Sequence, residues 1–264
     1  MTHYLVVIFL TLVLLACAIE LVIYMTQKEE KAEDTWSSKA TVSESSEDIN
    51  MVITEEVDNT NNVKKHTFGK YELYELRNIL TPEECDTLIE LAKAKGMEDS
   101  SVLAYGKEKD TETDTDYRKS KQTWFEDNAS PVIQKIADYC EQITGLPKAN
   151  QEMIQVAHYE TGGKFNAHYD ACVYEDKTYC DKINRNAGQR KTTLLIYLND
   201  DYTGGETEFT NLNLKIKPEK GKGILFYDTD ENQTIYEESK HMGNAVISGE
   251  KWICTKWVHF GEFK

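Results

Sequence analysis

The sequence predicts an α+β domain whose core is a β-sandwich or jelly roll, and three observations carry that expectation. Two capped helices with apolar periodicity come first, seven short strand-like runs follow, and turns rich in Gly, Asn or Asp separate them. The chain has 264 residues, 40% of them hydrophobic. The first 66 or so do not read as globular, and the remaining length suffices for one well-buried core.

The chain opens on the apolar run Tyr4 to Met25, broken only by Glu20 and softened by Thr11. At about 1.5 Å per residue it spans roughly 30 Å, the thickness of a bilayer core, so residues 1–25 are expected to form a transmembrane helix that anchors the chain. A cleaved signal peptide is the rival, because Ala16-Cys17-Ala18 has the small-x-small form of a cleavage site. Leu14-Leu15-Ala16-Cys17 leaves a lipoprotein reading open as well, although no Lys or Arg precedes the run. Residues 26–66 are polar and acidic, too poor in apolar side chains to offset the entropy of ordering, and read as a flexible tether.

Residues 67–264 form the expected catalytic domain. Thr81-Pro82-Glu83-Glu84 is a capping box with proline at the first helical position, followed by Leu88, Ile89 and Leu91 and closed by Gly96. A second helix starts at Ser130-Pro131, places Val132, Ile133, Ile136, Ala137, Cys140 and Ile143 on one face, and stops at Gly145. The period then becomes strand-like through MIQVAHY, KFNAHYD, KTTLLIYL, ETEFT, KGILFY, AVISG and KWICTKWVHF.

Forty-six acidic against 30 basic side chains give a net charge of −16, which argues against a nucleic-acid partner, since a phosphate-tracking surface needs clustered Lys and Arg. The excess is not confined to the tether. Through His66 there are 11 acids and 5 bases, so the domain itself carries −10.

The chemistry sits in the strand-rich half. In a strand, residues i and i+2 share a face, so His168 and Asp170 converge while Tyr169 points away. His241, 71 residues after Asp170, supplies a third ligand. Two histidines and a carboxylate on one side of an iron leave three positions for a co-substrate and O₂. Lys251 enters an apolar, Trp-flanked strand, where a buried ammonium needs an anionic partner such as a dicarboxylate. Arg190 and Thr207 add polar groups to the same region.

The order Gln155 to Tyr159, Gly162-Gly163-Lys164-Phe165, His168-Tyr169-Asp170, Arg190 to Leu198, Gly204-Gly205-Glu206-Thr207, the late His241 and GEKWICTKWVHF resembles the prolyl 4-hydroxylases, iron- and 2-oxoglutarate-dependent dioxygenases. TPEECDTLIELAK and RKSKQTWF resemble the same proteins, so the likeness runs from Phe68 to Phe260. It implies a double-stranded β-helix, a jelly roll buttressed by the N-terminal helices. It implies Fe(II) on His168, Asp170 and His241, and 2-oxoglutarate held by Lys251 with the hydroxyls of Tyr159 and Thr207. Arg190 and Trp257 would shape the peptide groove, and ascorbate would restore oxidised iron. The expected substrate is peptidyl-proline in collagen-like or other proline-rich chains, with 4-hydroxyproline, succinate and CO₂ as products. The loop after Asp170, and Asn244-Ala245 where relatives commonly have Cys-Pro, depart from the family pattern. The chain lacks the extra N-terminal peptide-binding region of the animal collagen enzymes, so no obligate disulfide-isomerase partner is implied.

Two other functions stay open: an oxygenase of this class acting on a different residue, and a non-catalytic membrane-anchored peptide binder that kept the fold. Cys172 and Cys180 bracket a short polar loop beside the metal motif; in a secretory compartment they would pair, and in cytosol they would stay reduced. The expected location is therefore a membrane, with the domain in the endoplasmic reticulum lumen or secretory pathway, or outside the cell after signal cleavage. Asn128 and Asn232 head glycosylation sequons, the first weakened by Pro131. Asp110, Glu112, Asp114 and Asp116 alternate with Thr, but without the glycine and terminal Glu of a calcium loop. The resemblance implies that they belong to a loop over the groove, read either as a plain solvated loop or as one that would favour basic residues near the target proline.

Overall fold

The computed structural model describes residues 62–264 apart from Glu108. The expected N-terminal membrane helix lies outside the described residues, among which no helix is long and apolar enough to cross a membrane.

Two large antiparallel sheets build the domain, beside two-stranded ribbons of Thr203–Gly204 with Val246–Ser248 and of Val102–Leu103 with Thr111–Glu112. The major sheet runs, in spatial order, Val63–Phe68, Tyr71–Leu76, Gly223–Tyr227, Arg190–Tyr197, Lys251–His259, Ile154–Tyr159, Lys121–Phe125 and Glu98–Asp99. The minor sheet runs Leu214–Ile216, Thr207–Phe209, His241–Gly243, Lys164–His168 and Arg118–Lys119. Strands distant in sequence become neighbours, which is the jelly-roll arrangement anticipated above.

The first strand begins at Val63, four residues inside the stretch read as tether. Its composition, VKKHTF, looks like a solvated linker, but it pairs residue for residue with Tyr71–Leu76 around Gly69, whose φ of +63° closes the turn. Lys64, Lys65 and His66 find carboxylates at Glu75 and Glu72 across that hairpin, so the polar side chains are used in pairing.

Helix α1, Pro82–Lys95, carries the full capping box: Glu84 N–H donates to Thr81 Oγ1, and Thr81 N–H donates to Glu84 Oε2 at 2.8 Å. Helix α2, Pro131–Thr144, is capped by Ser130 and ends at Gly145 with φ +68°. Both bury their apolar faces, Cys85, Leu88 and Ile89 from α1 and Ile133, Ile136 and Cys140 from α2, in one core with the major sheet. A third helix, α3, Lys177–Ile183, lies in the loop after the metal motif.

The major sheet is covered on both faces, so its central strands, apart from Arg190 and Lys191, are buried along their length instead of alternating. Alternation survives in what each face meets. Along Lys251–His259, residues 251, 253, 255 and 257 face the space toward the minor sheet. Phe226 of the major sheet packs edge-on against Phe209 of the minor sheet, with centroids 5.1 Å apart.

Candidate active site

The ligands predicted from sequence meet where the two sheets face each other. His168 ends its strand, His241 opens its own, and the antiparallel ladder pairs them directly, with ring centroids 4.3 Å apart. Asp170 follows on the face of His168, and one ligand atom from each of His168, Asp170 and His241 lies within 4.8 Å of the others. Asp170 Oδ1 is 3.5 Å from His168 Nε2, and its Oδ2 is 3.9 Å from His241 Nε2.

The donor set fits a metal in detail. His168 Nδ1 lies 2.8 Å from the carbonyl of Asn166 and His241 Nδ1 lies 2.9 Å from that of Ser239. A carbonyl only accepts, so each Nδ1 carries the proton and each Nε2 lone pair is turned inward for a metal. Burial, then the neighbouring His168, lowers His241 to about 4, which keeps the imidazole neutral as a ligand must be. Burial would raise Asp170, but His241, His168 and Arg190 outweigh it and hold the carboxyl well below the usual range. Two nitrogens and one carboxylate oxygen on one side are the donors expected for Fe(II) with open positions.

Beside this triad lies a cavity of about 40 Å³ lined by Tyr159, Thr207 and Lys251. Lys251, 2% exposed, donates to the carbonyl of Gly205 at 2.7 Å, and its ammonium lies 5.3 Å from the Tyr159 ring centroid. Burial lowers its pKa to about 8, against a smaller opposing pull from Glu206. Gly205 has φ +66°, and a Cβ there would stand 3.2 Å from Lys251 Cδ, so glycine is what lets the lysine approach. Tyr197, unnoticed in the sequence, places its hydroxyl 2.7 Å from Thr207 Oγ1 and 3.2 Å from the carbonyl of Ile216, which holds the threonine hydroxyl in place.

A groove of about 550 Å³ also opens at the triad, with His168 and Asp170 in its wall. Arg190 and Trp257, the residues expected to shape a peptide groove, line it, with their polar atoms engaged within the protein. Arg190 grips Glu152 at 2.5 and 3.1 Å, donates to the Asp170 carbonyl at 3.0 Å, and lies 4.1 Å from the Trp257 ring centroid. Trp257 Nε1 donates to Asp170 Oδ2 at 2.9 Å. Glu152 also meets His259 at 2.9 Å, and despite burial its pKa falls to about 2 through Arg190 and His259.

Thr193 and Asp228 were also missed. Thr193 Oγ1 lies 2.8 Å from Asp170 Oδ2 and 2.8 Å from Asp228 Oδ2. Burial and the charge of Asp170 push Asp228 up and keep it neutral, so its proton goes to Thr193, whose own proton goes to Asp170. A signal existed: in RKTTLLIY, residues 193, 195 and 197 share the inward face, and a threonine on that face needs a polar partner.

Two loops rim the groove. The hairpin Val102–Leu103 with Thr111–Glu112 reaches the disulfide loop, in which Cys172 and Cys180 are bonded with Cα atoms 5.7 Å apart. Tyr105 stacks on Tyr174 at 4.7 Å and meets Tyr179 edge-on at 4.8 Å, Lys182 pairs with Asp110 at 2.7 Å, and Tyr105 Oη donates to Asp176 at 3.2 Å. The acidic loop is thus partly neutralised: Asp110 holds Lys182, Glu112 lies 3.7 Å from Lys107, and Asp114 caps the N–H groups of Asp116 and Tyr117. Asn128 and Asn232 are both exposed.

A facial group of two imidazoles and a carboxylate, held between the sheets of a jelly roll and flanked by a buried lysine, defines an Fe(II)- and 2-oxoglutarate-dependent dioxygenase. The family model of the 2OG-Fe(II) oxygenase superfamily matches residues 154–259. Among curated proteins, prolyl 4-hydroxylase 2 of Arabidopsis thaliana is 33% identical over 221 residues, covering 75% of this chain and 71% of its own. Probable prolyl 4-hydroxylase 3 of the same plant is 36% identical over 207 residues, covering 71% and 69%. The crystal structure of the viral collagen prolyl hydroxylase of Paramecium Bursaria Chlorella virus-1 in complex with 2OG aligns with TM-score 0.57 and 35% identity, over 72% of this chain and 96% of that one. The chain belongs to the prolyl 4-hydroxylase family.

Proposed function

We propose that the protein hydroxylates peptidyl-proline in collagen-like or other proline-rich chains, turning proline, 2-oxoglutarate and O₂ into 4-hydroxyproline, succinate and CO₂. The observation that carries this reading is the triad's position, in the walls of both a small cavity that holds buried Lys251 and a large groove. Bound Fe(II) with 2-oxoglutarate supplies the O₂ activation needed to cleave an unactivated C–H bond. Lys251 would take the distal carboxylate of 2-oxoglutarate, and Thr207 and Tyr159 would add their hydroxyls. Leu195 and Ile253 line the same cavity and exclude water from it. Arg190 and Trp257 would present the peptide while they hold Asp170. Ascorbate would serve to rescue oxidised iron.

We also propose that the chain is tethered to a membrane by its first 25 residues, with the domain on the oxidising side. The bonded Cys172 and Cys180 support that side. Incubation with (Pro-Pro-Gly) repeats, Fe(II), 2-oxoglutarate and ascorbate is expected to add one oxygen per modified proline by mass spectrometry, and His168→Ala to abolish it. Hydroxylation of lysine or asparagine peptides instead of proline ones would overturn the substrate assignment.

A further inference from the structure

We propose a second peptide subsite, beyond Trp124, that takes the uncharged flank of the same proline-rich substrate; it rests on the peptidyl-proline reading above. A cavity of about 800 Å³ adjoins the metal-side groove, and Trp124 stands in the walls of both. The two are also tied chemically, because Arg190 in the groove wall grips Glu152 in the wall of the second cavity. Trp124 leans on Trp257 with centroids 5.8 Å apart, so an aromatic step leads from one to the other.

The second cavity's chemistry suits a neutral, extended chain. Its ionic groups are largely paired within the protein: Lys148 with Asp138, Asp127 with Lys256, and Lys264 with Glu262. Arg185 lies over the Phe263 ring, 4.6 Å from its centroid. What remains for a ligand is Trp124, Met153, which is 37% exposed, and the part of Phe263 left open by Arg185 and His259, with the side chains of Asn128 and Gln151 to meet proline carbonyls and exposed Glu126 at the edge. Aromatic and apolar walls of this kind recognise polyproline II segments, which need no partner for backbone N–H groups they lack and lose little entropy on binding.

The distribution of exposed apolar side chains points the same way. Of the five large ones among the described residues, Leu103 and Val173 line the metal-side groove, Tyr105 joins its rim, and Met153 lines the second cavity. Only Ile247, 72% exposed, lies off this track. Apolar exposure gathered along one path marks a binding surface.

The test compares Pro-Pro-Gly peptides of about three and about ten repeats, the longer extended by about 3.1 Å per added residue, with KM expressed per repeat on the full chain. The expected KM is at least about fivefold lower for the long peptide, and Met153→Asp is expected to bring the ratio of short to long KM toward one, with Phe263→Ala acting in the same direction. Ile247→Asp, which lines neither cavity, should keep the wild-type ratio. Equal KM values in the wild type, or a ratio unchanged by Met153→Asp, overturn the second subsite while leaving proline hydroxylation intact. Failure of both peptides to turn over in enzyme that binds 2-oxoglutarate defeats the peptidyl-proline reading and this one with it.

Discussion

Thr193 has one proton and faces two carboxyl groups, and that imbalance decides how Asp170 is held. With Asp228 neutral, the chain of donors runs toward Asp170 and, together with Trp257, engages Oδ2, leaving Oδ1 for the metal. Thr193→Val keeps the shape and removes the relay. Loss of such an outer partner is expected to weaken divalent metal binding by about 10–100-fold, read by calorimetric titration with Mn(II), without loss of the folded near-ultraviolet signal. Lys251 supports a second prediction at this scale. Its pKa is about 8 in the absence of a ligand. Below that pH it is charged and attracts a dicarboxylate, and above it the charge is lost in the free protein. Affinity for 2-oxoglutarate should therefore hold below pH 8 and fall, by up to about tenfold per unit, above it. A flat profile through pH 9 would remove Lys251 from the role assigned to it.

At the scale of elements, the rim of the groove depends on a clasp between two loops. Tyr105 is its centre, touching Tyr174, Tyr179 and Asp176, all carried by the disulfide loop. Tyr105→Ala should raise amide exchange across Val102–Glu112 and raise peptide KM, while reduction of Cys172–Cys180 should have the same effect through the other partner. Unchanged exchange in both would show that the two loops do not hold one another. Much of this level was readable beforehand. Helices α1 and α2 were announced by Thr81 to Glu84 and by Ser130-Pro131, because caps and breakers act locally. The seven strands also emerged where expected, and His168-x-Asp170 announced its own geometry. The hairpin from Val63 to Leu76 did not, since its stability comes from cross-strand ion pairs that only the register reveals. Helix α3 was hidden too: KTYCDKI is short, polar and held by the Asp176 cap and by contacts with another loop. The same limit hid Glu152, Asp228 and His259, whose partners are 38, 35 and 107 residues away in the sequence.

For the whole molecule, Glu75 and Glu152 are two of the carboxylates whose ionisation in the fold shapes its response to acid. Burial opposes ionisation of Glu75 and Glu152, yet Lys222 and His66 at the first, and Arg190 and His259 at the second, bring both down from 4.5 to about 2. A depressed carboxylate stabilises the fold above its unfolded value and loses that contribution as pH falls through the folded one. Unfolding free energy should accordingly decline between pH 4.5 and 2, by on the order of 3 kcal/mol for the buried Glu152 alone, with less from half-buried Glu75 because water screens it. Denaturant melts at intervals across that window would show the slope; a level response would mean these pairs persist in the unfolded chain.

The strand Lys251–His259 finally acts as a measuring rod. Lys251, in the wall of the small cavity, and Trp257, in the walls of both cavity and groove, are six residues apart on one face, roughly 20 Å at about 3.3 Å per residue. The separation between the two ends of the reaction site is thus written into a residue count. Deleting any one residue between them would shorten the rod and also rotate every group beyond the deletion to the opposite side. Substitutions along this segment can be absorbed one at a time, but its length cannot drift, and lineages of this protein are expected to vary their loops while keeping that interval fixed.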